Sequence, residues 1–145
     1  MECKELKKLF GVIVNQNGFD LQYGGWFKES DECIIVLDLQ KSSYGNYFDL
    51  NIKTYIHGVF GIHYTKSKKM VSDTGDIFTR QPKEYSDALN LDNSMDLKTR
   101  KNRLEDLFRK FIVPETNNNL TRAGIIELAR KGEFILPAIK KELGI

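Results

Sequence analysis

An α+β fold is predicted by three features of this 145-residue chain: helix-spaced apolar residues at the start, closely spaced alternating segments between residues 19 and 80, and helical spacing again from Leu97 onward. The alternating segments follow one another too closely for helical crossovers. A mostly antiparallel sheet of four to six strands is therefore expected, with the helical C-terminal third packed on one face. No repeat or linker divides the chain, and its length suffices for one disulfide-independent core, so residues 1–145 are expected to form a single domain.

Leu6, Leu9, Phe10, Ile13 and Val14 recur at helical spacing, and Asn17-Gly18 supplies a left-handed stop, which predicts a helix over 2–16. Phe19, Leu21 and Tyr23 then alternate up to Gly24-Gly25, and Trp26-Phe27 follows, the pattern of a tight hairpin. After a turn at Ser30-Asp31-Glu32, CIIVLDLQK is a strand whose first half is apolar on both faces, as expected at the centre of a sheet. Its partner YFDLNIKTYIH alternates through Phe48, Leu50, Ile52, Thr54 and Ile56. GVFGIHY, residues 58–64, is expected to extend or bend the sheet, TKSKKMVSDTG to be an exposed loop, and Ile77–Arg80 to add a short strand. The segment PKEYSDALNLDNS has no dominant period and reads as irregular.

A second helix carries Leu97, Leu104, Leu107, Phe108 and Phe111, with Asn93 or Ser94 as its cap and Pro114 beyond its end. NNNL reads as a loop, and Asn119 or Thr121 caps a third helix with Ile125, Ile126, Leu128 and Ala129 on its apolar face, ended by Gly132. Pro137 suits the first turn of a last short helix with Ile139 and Leu143. Phe108, Phe111 and Phe134 are expected in the core.

The net charge of +2 does not point to nucleic acid, although it is uneven: residues 95–145 hold 11 Lys+Arg against 7 Asp+Glu, and residues 1–94 hold 11 against 13. No apolar run has the length of a membrane span. The N-terminal basic residues are mixed with Glu2 and Glu5 and precede only a short apolar stretch, which favours a cytoplasmic protein over a secretory leader. Cys3 and Cys33 match neither a metal-ligand pair nor a disulfide framework, and Cys33 is expected to be a small buried hydrophobe.

The stretch VLDLQKSSYGNYFDLNI raises the question of a site. If its hairpin closes over Ser42–Gly45, Leu39 faces Phe48, Leu37 faces Leu50 and Ile35 faces Ile52 on the core side. The other side then pairs Gln40 with Tyr47, Asp38 with Asp49 and Val36 with Asn51. Two carboxylates placed opposite each other repel, and Lys41, Lys53 or Arg80, a shared proton or a cation would relieve them. Solvated polar alternation is the plain reading of such a face. The sharper reading is a recognition groove walled by Tyr44, Tyr47, Tyr55 and Trp26.

Leu39-Gln40-Lys41-Ser42, Tyr44, Gly45, Tyr47, Asn51 and Ile52, together with Asn17-Gly18-Phe19 and Trp26-Phe27, resemble the family called domain of unknown function 4304. The resemblance spans most of the chain and implies a bacterial-type soluble α+β domain, with no activity attached. Where that family has a strand with a clearer alternating basic pattern, this chain has DIFTRQP, so no role for Arg80 is carried over. Small domains of this kind resemble toxin-neutralising or defence-associated proteins, an analogy of class.

Other constellations are weaker. His57 and His63 flank GVFGI and would need Asp38 or Asp49 to complete a metal site, a spacing that fits no standard ligand motif. No nucleophile elbow, HExxH pair or phosphate loop occurs. Lys98, Arg100, Lys101, Arg103, Arg109 and Lys110 read as a solvated helix face rather than a phosphate-contacting one. The expectation is thus a non-enzymatic module that binds another protein through Asp38, Gln40, Tyr44, Tyr47, Asp49, Asn51, Lys53 and Arg80, with no cofactor or metal. The alternative is a small-ligand enzyme or hydrolase using the carboxylates of the same face.

Overall fold

The computed structural model describes all residues, Met1–Ile145. Helix α1 (Cys3–Gln16) is followed by β1 (Asp20–Gln22), β2 (Gly25–Glu29), β3 (Cys33–Lys41), β4 (Phe48–Ile56) and, after a short helix α2 (Lys68–Ser72), β5 (Ile77–Arg80). These strands form one antiparallel sheet in the order β1-β2-β3-β4-β5, which puts β3 at the centre as its two-sided apolar half requires. The first hairpin turns through Tyr23 and Gly24, both at positive φ. Gly25 opens β2, where a Cβ would stand 2.9 Å from a Val71 methyl; its bareness lets α2 approach the sheet.

The remaining chain is helical: a 3-10 segment (Lys83–Leu89), α3 (Leu97–Leu107), a π-helical turn (Phe108–Ile112), α4 (Val113–Asn119), α5 (Arg122–Arg130) and α6 (Pro137–Leu143). Helices α1 and α3 with the π turn cover one face of the sheet and bury Leu6, Phe10, Ile35, Leu37, Leu50, Ile52, Leu104, Phe108 and Ile112 in the main core. Phe10 packs edge-on against Trp26 at 5.1 Å and against Phe108 at 5.5 Å. At the far end of that face a smaller core joins Cys33, Ile56 and Val59 to Ile125, Ile135 and Ile139. No helix is long and apolar enough to cross a membrane.

Several local expectations are corrected. Residues 58–64 do not extend the sheet: Gly58 takes a left-handed conformation and a 3-10 turn over Val59–Gly61 leads the chain away. The expected loop contains α2, whose Met70 joins Phe27, Ile34, Val36 and Tyr55 in a third cluster on the opposite face. Asp96, rather than Asn93 or Ser94, caps α3 by accepting from Thr99 N–H at 2.7 Å. Pro114 does not end the helix, because the π turn lets Val113 N–H reach back to Phe108 O and Pro114 then occupies the first turn of α4. Most of NNNL is helical, and Thr121 is the cap of α5, accepting from Gly124 N–H. Phe108 is buried and Phe111 packs on the core, but Phe134 is 79% exposed in the irregular link before α6.

Arg100 is also displaced from its expected place. It is fully buried and donates to the carbonyls of Ala88 at 2.8 Å and Asn90 at 2.9 Å, and to Asn93 Oδ1 at 2.8 Å. It therefore clips the segment before α3 onto the helix and offers nothing to a phosphate.

Candidate functional site

Alternation along β3 and β4 sorts the side chains as their composition dictates. Leu37, Leu39, Leu50 and Ile52 turn toward the main core, and Asp38, Gln40, Asp49, Asn51 and Lys53 turn to the other face. The register differs from expectation by two residues: Leu39 faces Leu50, Leu37 faces Ile52, Asp38 faces Asn51 and Gln40 faces Asp49. The loop is two residues longer than expected because Tyr47 bridges to Asn90 and Asn46 O accepts from Leu91 N–H at 2.8 Å. The like-charge pair of Asp38 and Asp49 consequently does not form, and with it goes the premise of a carboxylate dyad.

Asp38, Asn51 and Arg80 form a row across three strands. Asn51, almost fully buried, is its hub: its amide N–H groups donate to Asp38 Oδ1 at 3.1 Å and Gln40 Oε1 at 2.9 Å, while its carbonyl accepts from Arg80 Nε at 2.9 Å. Arg80 also donates to Gln40 Oε1 at 3.3 Å and lies 3.7 Å from Asp49 Oδ2. Lys53, in the adjacent row, is buried, pairs with Asp38 Oδ2 at 2.6 Å and donates to Val71 O. Burial of that ammonium demands such partners.

The network forms the floor of a groove of about 620 Å³, with Val71, Ser72, Asp73 and Thr74 on one side and Phe78 and Arg80 on the other. The α2 wall is held down by Tyr55 Oη, which donates to Met70 O at 2.7 Å. Next to it, Tyr64 Oη donates to Asp76, whose second carboxylate oxygen accepts from Ile56 N–H. Burial pushes the Tyr64 phenol up to about 12, keeping it a donor, and raises the Asp76 carboxyl.

The structure thus gathers Asp38, Gln40, Asn51, Lys53 and Arg80 at one groove, with Asp49 beside it through Arg80. It does not gather the aromatic walls. Tyr44 is 93% exposed at the loop tip, Tyr47 is engaged by Asn90, Tyr55 is buried under Met70, and Trp26 lies on the opposite face against Phe10. The groove's aromatic is Phe78, which sequence reasoning missed although it alternates with Arg80 on β5 and stands 5.6 Å from its guanidinium. Ser72, Asp73 and Thr74 carried no signal beyond polarity.

His57 and His63 do meet, stacked at 4.1 Å, and burial and the neighbouring ring lower the His57 pKa. His57 Nδ1 accepts from Tyr64 N–H at 3.1 Å, so this nitrogen is engaged within the chain. No three His, Cys, Asp or Glu side chains converge as metal ligands, and neither Asp38 nor Asp49 joins the pair. Burial raises the Cys33 thiol to about 12, opposite to what a reactive thiol needs.

Fold and site together define a small α+β domain with one sheet face closed by helices and the other cut by a polar groove. The chain belongs to the family domain of unknown function (DUF4304), whose model matches residues 11–118. No curated protein and no solved structure matches it. The match includes the whole sheet and groove and stops within α4, leaving α5 and α6 outside it.

Proposed function

We propose that this chain is a non-enzymatic binding module whose recognition surface is the groove floored by Asp38, Gln40, Asn51 and Lys53, and that its partner is another protein. The observation that carries the reading is the Asn51-centred network, which fixes side chains from three strands in one pattern of donors and acceptors at an open groove. Rigid polar groups beside an apolar ring such as Phe78 suit orientation-specific docking. Asp38 is balanced by Lys53 and Asp49 by Arg80, so recognition rests on hydrogen-bond matching rather than net charge, and encounter has little salt dependence. Occlusion of a partner's working surface, as in a toxin-neutralising or defence-associated protein, is the form this function takes by analogy of class. Two unpaired cysteines support a reducing, cytoplasmic setting.

The test uses the immobilised chain in native lysate, with Gln40→Arg and Arg80→Glu as exposed groove variants whose folding is checked by thermal melting. The expected result is a protein retained by the wild-type chain and lost with both variants. Retention by all three alike, or by none, sinks the reading.

A further inference from the structure

A second concavity lies away from the polar groove, between α1 and the β1–β2 hairpin. Its volume is about 800 Å³, within the range of small-molecule sites, and Gly11, Val12, Leu21, Trp26 and Leu39 supply its apolar lining. Val12 is 52% exposed and Leu21 65% exposed, so two aliphatic side chains flank the trough with little protein cover. Gly11 lies beside the Trp26 ring, which a Cβ there would meet at 3.8 Å, an ordinary van der Waals contact. Along α1 the lining runs from Lys7 to Gln16, about 13 Å at helical rise.

One end of the trough is basic. Lys7 and Lys8 line it, and beyond the lining the Lys7 ammonium lies over the Phe48 ring at 5.7 Å, with that of Lys41 over the same ring at 5.9 Å. The chain's ion pairs lie elsewhere, so none of these three lysines is matched to a carboxylate. Asn15 and Gln16, at the other end, are uncharged. An elongated apolar surface with positive charge at one end complements a single alkyl chain with an anionic head.

We infer that the trough binds an alkyl carboxylate, with the chain laid along Val12, Leu21, Trp26 and Leu39 and the carboxylate at Lys7 and Lys8. An acidic amphipathic peptide would share the charge pattern. The trough favours the smaller ligand because its lining spans about 13 Å along α1, close to the length of one extended alkyl chain and less than three turns of a peptide helix.

The chain has one tryptophan and it lines the trough, so intrinsic fluorescence reads occupancy directly. The experiment titrates the full chain with dodecanoate below micelle formation, alongside dodecyltrimethylammonium and an acidic amphipathic peptide. Saturable one-to-one binding of dodecanoate is expected, at least about ten-fold tighter than that of the cation. The double variant Lys7→Glu, Lys8→Glu weakens dodecanoate by at least about ten-fold, and Val12→Glu weakens it comparably. All three substitutions are at exposed positions, and thermal melting verifies folding. The inference is overturned by no saturable signal, by equal affinity for the cation, by insensitivity to both variants, or by a peptide that binds tighter than dodecanoate.

Discussion

Two buried cations sit in different parts of the molecule and are handled in opposite ways. Arg100, in the helical layer, is caged by backbone carbonyls and one asparagine oxygen. Lys53, in the sheet, is matched by the carboxylate of Asp38 and one carbonyl. A backbone cage cannot be mutated away, whereas a side-chain partner can. The first arrangement commits the residue to architecture, and the second leaves a charge pair that can change as a unit. A third ionisable group completes the contrast: for the half-buried Glu115, burial and the nearby Glu133 act together, with nothing opposing them, and its pKa climbs to about 7.

The largest effect is expected for Arg100→Met, which strands the carbonyls of Ala88 and Asn90 and should cost about 3–5 kcal/mol in urea denaturation. A loss below about 1 kcal/mol would erase the distinction between cage and pair. Lys53→Met leaves Asp38 uncompensated and should cost about 3 kcal/mol. The double variant Lys53→Met, Asp38→Leu should recover most of that loss, and a double-mutant cycle without positive coupling would show the pair to be incidental.

Glu115 sharpens the comparison through pH. Its folded pKa of about 7 lies above the ordinary 4.5, so the folded chain keeps a proton that the unfolded chain has released. Its contribution to stability is therefore fully present below about pH 4.5, declines as pH rises to about 7, and is flat above. Glu115→Gln should flatten that part of a melting profile taken between those limits, and an unchanged slope would assign it to other groups. The smallest effect is expected for Arg80→Ala. Its guanidinium is half exposed and should contribute less than about 1 kcal/mol, so any binding loss it causes comes without a folding defect.

Much of this was legible in the amino-acid order. Alternation in CIIVLDLQK and FDLNIKTYI placed Leu37 and Leu50 inward and Asp38 and Asn51 together on the other side, because side-chain direction follows a period of two. Register was not legible, since it depends on Tyr47 and Asn46 being drawn to Asn90 and Leu91, more than forty residues on. Helix α2 is too short to show a period, and its place is set by the bare Gly25 beneath Val71. Arg100 did leave a trace: it stands four residues before Leu104 and seven before Leu107, on the apolar stripe of its own helix. A charge at such a position is better read as a buried staple than as part of a basic face.

The π turn at Phe108–Ile112 has a bearing on what this stretch can tolerate. One surplus residue there slips the rotational phase of the helix by about 100°. Leu104, Leu107 and Ile112 consequently meet the main core while Asn119, farther on, still donates to the Thr54 hydroxyl at 3.2 Å. Removing one residue from the turn would leave Pro114, which has no N–H, inside a regular helix and, in the same stroke, swing Asn119 out of alignment with the sheet. Here the residue count is itself specified, by a proline on one side and a sheet contact on the other.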